Sequence, residues 1–211
     1  MSGRPLISII LPTVRPALIV DCLASLTAAA SLVPPTEIIV VADFEPPIEH
    51  QPWILRDRRG PIDAIHLGYQ AARGDYVFVT NDEARLEVDA LLLLYQDAVM
   101  IPGRLLSPTH LPPFPFAYYG RPFVPFPFAH RDVFDALGGL FDPAFKAFYA
   151  DPDLSMRAHA AGVPVHVVAS AAIHHHNGTD GPKEQNWMAY IDRDRAVFRA
   201  RWDHLGVFRD P

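Results

Sequence analysis

The chain has 211 residues, 18 Lys and Arg against 24 Asp and Glu for a formal charge of -6, and half of its residues are hydrophobic. That length supports one substantial core, and the composition excludes intrinsic disorder. The single cysteine, Cys22, excludes an internal disulfide, no apolar run approaches the roughly 20 residues of a membrane span, and the net negative charge disfavours a broad grip on a phosphate backbone.

In chain order, Leu6 to Leu11 is an apolar, β-branched run ending at Pro12, the pattern of a buried parallel strand. Ala17 to about Ala30 has helical spacing. Glu37 to Ala42 is a second buried strand that ends in Asp43. Pro61 to Arg73 reads as a helix stopped by Gly74, Asp75 to Thr80 as a third strand, and Glu87 to Val99 as a third helix. This alternation builds a parallel sheet with helices on both faces. From Ser107 to Phe128 prolines alternate with aromatics and neither period survives, which predicts a loop or edge segment. A short helix follows (His130 to Leu137), then the turn Gly138-Gly139, a helix from Pro152 to Ala161, a strand from Val163 to Val168, a histidine-rich loop, and an amphipathic helix from Glu184 to about Leu205. The proline-rich stretch is flanked by elements too small to fold alone, so residues 1–211 are expected to form one domain. The polar start runs into an apolar stretch too short for a secretion signal, which gives the expectation of a cytoplasmic protein.

In an open parallel sheet, ligands bind where the carboxyl ends of the strands converge. Three such ends carry suggestive residues: Pro12-Thr13-Val14, Asp43, and Asn81-Asp82-Glu83. No GxGxxG follows the first strand and no GxxxxGK[ST] occurs, which argues against dinucleotide and P-loop sites. Asp82 and Glu83 offer hard oxygens for Mg or Mn bridging a diphosphate, although the same pair also suits a helix cap or a solvated turn. Asp151-Pro152-Asp153 reads equally as a helix start, with Asp151 as the cap, and as a carboxylate held toward the strand ends as a general base. In His174-His175-His176, an extended backbone places His174 and His176 on one face, where they offer imidazole to a metal or a phosphate. Tyr118, Tyr119, Phe123, Phe126 and Phe128 are suited either to pack a flap onto the sheet or to stack on a sugar, a nucleobase or a lipid.

Several segments, in order, resemble the family-2-like inverting glycosyltransferases of GT-A fold. ISIILPTVRP is similar to that family's first strand and Pro-Thr turn, and EIIVVAD to its second strand. GPIDAIHLGYQAARGDYVFVTNDEARL resembles the helix and strand that lead into its acidic metal motif. RDVFDALGGLFDPAFKAFYADPDLSMRAHAAG resembles its Gly-Gly-Phe-Asp turn and acid motif, and AAIHHHNGT its late histidine. The resemblance implies an α/β single-domain GT-A, Rossmann-like nucleotide-sugar-binding fold with a mostly parallel central sheet. The donor would lie on about residues 1–100 and the acceptor on about 101–211.

It further implies a metal-dependent transfer of a sugar from a nucleotide-diphosphate sugar, with a UDP-sugar expected, to an acceptor hydroxyl. Pro12, Thr13, Val14, Asp43 and Asp82 would bind the donor. Glu83, with Asp82, His174 and His176, would hold a divalent cation, Mn or Mg, any one of the three histidines serving. Asp151 would be the base. The acceptor is left open as a saccharide, a lipid-linked saccharide or a modified nucleic-acid base. The chain departs from the pattern at Ala42, Asn81, Glu83 and Ala150, which keeps open a catalytically inactive GT-A-like binding module. A sugar-phosphate nucleotidyltransferase is disfavoured because its glycine-rich basic signature is missing.

Overall fold

The structure is a computed structural model that describes residues 4–33, 35–50, 52–57, 60–113, 117–176 and 181–209. At its centre lies β1 (Ile7–Thr13), every residue of which is buried, paired in parallel with β2 (Thr36–Ala42) on one side and β4 (Tyr76–Val79) on the other. Burial on both faces is why its sequence is continuously apolar rather than alternating. Of its two polar members, Ser8 is satisfied within the sheet, its hydroxyl donating to Glu37 (2.6 Å) and accepting the Gly74 N–H (2.8 Å), and Thr13 ends the strand at the site.

Eight strands follow the order β3-β2-β1-β4-β9-β6-β10-β5, where β3 is Trp53–Leu55, β5 Ala84–Leu86, β6 Leu105–Leu111, β9 Phe128–His130 and β10 Val165–His175. The sheet is mostly parallel, as expected, but β9 enters antiparallel between β4 and β6, and β5 runs antiparallel to β10. Ile7, Ile9 and Leu11 of β1 face α1 (Pro16–Ala30) and α3 (Ala90–Met100). Ile10 faces the opposite layer, made of α2 (Pro61–Ala71), α4 (Arg131–Ala136), α5 (Ala150–Ala161) and α6 (Gly181–Trp202). In α2, Gly68 lies so close to β1 that a Cβ there would stand 2.5 Å from the Ile10 Cγ2.

Three sequence expectations change. The segment from Ser107, expected as loop or edge, contains most of β6, a strand inside the sheet. Pro108 is tolerated there because β10 bulges opposite it, the register jumping between Val168 and Ala172, so no regular ladder requires the missing N–H. The histidine run, expected in a loop, ends β10, with His174 opposite Arg85 and His175 opposite Ala84. Finally α5 starts at Ala150 rather than Pro152, so Asp151 stands inside the first turn instead of capping it. Residues 117–128 of the aromatic segment form a flap with a hairpin of β7 (Ala117–Tyr118) and β8 (Arg121–Pro122), turned by Tyr119 (φ 51°) and Gly120 (φ 69°). Tyr118, Phe123, Phe126 and Phe128 are buried in it, so most of these rings pack the flap. Among the described residues no helix is long and apolar enough to cross a membrane.

Candidate active site

A cleft of about 260 Å³ opens at the carboxyl ends of β1 and β4. Pro12, Thr13 and Val14 line it from β1, Asp82 and Glu83 from the turn after β4, and Asp151 from α5. Of the expected donor residues, Asp43 is not brought in: it is exposed at the end of β2, one strand over from the cleft.

The acidic turn is bound internally. Asp82, buried, accepts from the Thr13 hydroxyl (2.6 Å) and from the Arg15 guanidinium (2.5 Å), whose other nitrogen lies 3.3 Å from Glu83. Burial outweighs these contacts and pushes the Asp82 carboxyl above its usual range. Arg85 braces the turn from behind by donating to the Asp82 and Ala84 carbonyls and, toward α1, to that of Leu18. Arg15 and Arg56 both line the cleft, and Arg56 is fixed by the Gly60 carbonyl (2.8 Å). These two arginines were missed in the sequence. Arg15 belongs to the quoted VRP turn, and its position two residues after Thr13 was the available signal.

The three histidines, any of which was expected to serve, are placed differently, and the pair His174 and His176 is not brought to the cleft. His174 turns to Glu87 (2.6 Å) and His176 is exposed, and neither lines the cleft. His175, on the other face of the strand, meets the acidic turn, 3.4 Å from Glu83 and 3.0 Å from the Asn81 side-chain nitrogen. The alternation was read correctly, but which face meets the site depends on the antiparallel register with β5. Because the Asn81 Oδ1 accepts the Glu83 N–H (3.1 Å), its amide nitrogen donates to the His175 Nε2, whose lone pair is engaged by that bond beside the Glu83 carboxylate. A carboxylate oxygen and an imidazole nitrogen are the donor types of a hard or borderline divalent cation, which would take the place of the Asn81 amide proton on the ring. Asp82, the other expected acidic ligand, is held by Thr13 on one oxygen and by Arg15 on the other. Among the described residues no group of three or more His, Cys, Asp or Glu could hold a metal. A divalent cation here would have Glu83 and His175 as its ligands from the described residues.

Asp151 has a different environment from its neighbour Asp153. Asp153 is fully buried and tied to Arg157 (2.9 Å), Arg201 (2.8 Å) and the Trp202 indole (3.0 Å), so it joins α5 to α6. No arginine or hydroxyl among the described residues reaches the Asp151 carboxyl, and its burial pushes it up to about 7. The chain enters α5 through Tyr149, held at φ 62°, a left-handed conformation that costs a bulky residue about 1–2 kcal/mol. Its phenol is bound by Arg195 (3.1 Å) and its ring stacks on Phe198, both on α6. Just before it, the buried Asp194 of α6 accepts the N–H groups of Lys146 (3.0 Å), Ala147 (2.9 Å) and Phe148 (3.0 Å). The loop that delivers Phe148 and Asp151 to the cleft is thus clamped by α6.

The mixed sheet with helices on both faces has the GT-A-like fold of the solved structures to which the chain is similar. No protein-family model and no curated protein matches the chain. Among solved structures, the mannosyltransferase PcManGT from Pyrobaculum calidifontis, in complex with GDP-Man and Mn2+, is similar over 99% of this chain and 67% of its own, with TM-score 0.69 and 17% identity. GalNAc-T7 with UDP, GalNAc and Mn2+ is similar over 97% of this chain, with TM-score 0.66 and 13% identity, and S. aureus TarS over 93%, with 0.63 and 14%. The chain spans about half of GalNAc-T7 (52%) and less of TarS (43%).

Proposed function

We propose that the chain is an inverting glycosyltransferase that moves a sugar from a nucleotide-diphosphate sugar, a UDP-sugar by expectation, to an acceptor hydroxyl. The observation that carries this reading is Asp151: a carboxyl with no ion partner among the described residues, raised to about 7, facing the same cleft as Arg15, Arg56 and Glu83, the last with His175 beside it. A base with that value is half ionised near neutral pH, where it is most useful for proton transfer. Residues up to about 100 supply the donor side, with Pro12, Thr13 and Val14 beneath the nucleotide and Arg15 and Arg56 beside its phosphates. Later residues supply the acceptor side.

Asp151 takes the proton of the acceptor hydroxyl as that oxygen attacks the anomeric carbon. The bond from that carbon to the diphosphate oxygen breaks and its electron pair leaves with the diphosphate, so one displacement inverts the configuration. Arg15 and Arg56 stabilise the departing charge without reorganising. A Mn2+ or Mg2+ on Glu83 and His175 would neutralise the same charge. The GDP-Man, UDP and Mn2+ in the complexes of the similar structures support this donor class.

The test is thermal stability against nucleoside diphosphates and nucleotide sugars, each with and without Mn2+. At a hundredfold excess over Kd a ligand of the folded state adds about 2.7 kcal/mol, a Tm rise of roughly 5–10 °C at this size. We expect one nucleotide to give that rise only with metal, and Glu83→Ala to abolish it. Absence of a rise with every nucleotide would sink the reading in favour of a non-catalytic module.

A further inference from the structure

The inward face of α6 is drawn by Trp187, Ile191, Asp194, Phe198 and Trp202, spaced by four, three, four and four residues so that all lie on one side of the helix. Ile191, Asp194, Phe198 and Trp202 are buried, as that face requires. Trp187 occupies the same face and is 51% exposed. The body beneath the helix ends there and the cleft begins: Asn186, one residue earlier, and Phe148 line the cleft, and the Phe148 ring packs edge to face on Trp187 at 5.4 Å between centroids. An indole that continues a core stripe has thus been left uncovered beside the wall that carries Asp151.

We infer that Trp187 and Phe148, with the Asn186 amide, form a subsite for a neutral pyranose ring of a saccharide acceptor. The inference rests on the glycosyltransferase reading and names the acceptor class. A pyranose has one face of C–H groups and a rim of hydroxyls. It needs a flat apolar surface for the first and groups that both donate and accept for the second, which are the ring pair and the Asn186 amide. The chain's formal charge of -6 disfavours a nucleic-acid strand as the occupant, a penalty that an uncharged sugar does not meet. The apolar flap from Tyr118 to Phe128 does not compete for this role, because most of its rings are buried.

The test uses the full chain and a panel of methyl and p-nitrophenyl pyranosides in the gluco, galacto, manno and N-acetyl series. Binding is read by tryptophan fluorescence and by calorimetry. We expect at least one pyranoside to bind and to change the emission, Trp187→Ala to weaken that binding about tenfold, and Trp187→Phe to keep the affinity within about threefold while the emission response disappears. Trp187→Phe keeps an aromatic ring at the site, so it settles the matter if the alanine variant folds poorly. No pyranoside binding by the wild type overturns the inference, as does unchanged affinity in Trp187→Ala. A response of Trp187 to a single-stranded oligonucleotide but to no sugar also overturns it. The nucleotide panel above, run on the same wild-type preparation, separates the two failures: nucleotides without pyranosides removes this subsite alone, and pyranosides without nucleotides removes the donor reading alone.

Discussion

Replacing Asp151 by asparagine should make the protein more stable at alkaline pH while removing transfer. In the folded chain the carboxyl holds its proton up to about pH 7, whereas in the unfolded chain it releases it near the ordinary value of 3.8. Between those values the folded state binds the extra proton, so wild-type stability falls as pH rises from about 4 to about 7 and stays lowered above it. Each pH unit of that interval costs about 1.4 kcal/mol, or about 4 kcal/mol across it, and water at the cleft side of the carboxyl trims this to about 2–4 kcal/mol. Asparagine has no proton to lose and a similar shape. Urea unfolding of both proteins from pH 4 to 8.5 should give a difference near zero at pH 4 that grows to about 2–4 kcal/mol in favour of Asp151→Asn at pH 8. The difference cancels the titration of every other group unaffected by the substitution. A pH-independent difference, or a variant less stable at pH 8, would refute the claim that burial without a partner raises this carboxyl.

The same group should govern the rate: transfer in the wild type rises with pH through about 7 with unit slope, and a limb that stays in Asp151→Asn residual activity would assign it elsewhere. Asp194→Ala strips the acceptor from the N–H groups of Lys146, Ala147 and Phe148 and should cost about 3 kcal/mol or more in urea unfolding, with Asp194→Asn recovering part. Gly60→Ala faces two obstacles, a φ of 94° and a Cβ that would stand 2.7 Å from the Lys146 carbonyl oxygen. It should lose about 1–3 kcal/mol by the same measurement, and an unchanged midpoint would mean that the loop gives way freely.

The sheet and its helices were legible because burial on two faces writes itself as continuous apolar runs, and β1, β2 and β4 lie within about two residues of their expected limits. β6 was not legible because Pro108 reads as a breaker until the compensating bulge of β10, about sixty residues later, is seen. The short strands β3 and β5 were missed because three residues show no period, and each exists through pairing with another strand, β5 with one about ninety residues later. The site divides the same way. Strand ends announced Thr13, Asp82 and Glu83, because a strand's carboxyl end is a local feature. Arg15, Asn186 and the clamp at Asp194 are tertiary, and no local pattern separates a cleft-facing arginine from a solvated one.

The two acids of Asp151-Pro152-Asp153 show why position alone does not assign a role. They lie two residues apart in the first turn of one helix, yet that roughly half-turn sends Asp153 to Arg157, Arg201 and Trp202 and leaves Asp151 facing the cleft. Asp153 therefore serves as an anchor between α5 and α6, and Asp151 keeps a proton that it can exchange near neutrality. Each depends on the other: without the anchor, the first turn of α5 has no fixed orientation, and the raised carboxyl has no fixed position relative to the strand ends. The strain at Tyr149 belongs to the same arrangement, since α6 holds that residue through Arg195 and Phe198 while Asp194 holds the loop before it. The helix that supplies Asn186 and Trp187 at the cleft is thus also the one that positions the base, and movement of its first turns would be felt at Asp151 through Phe148.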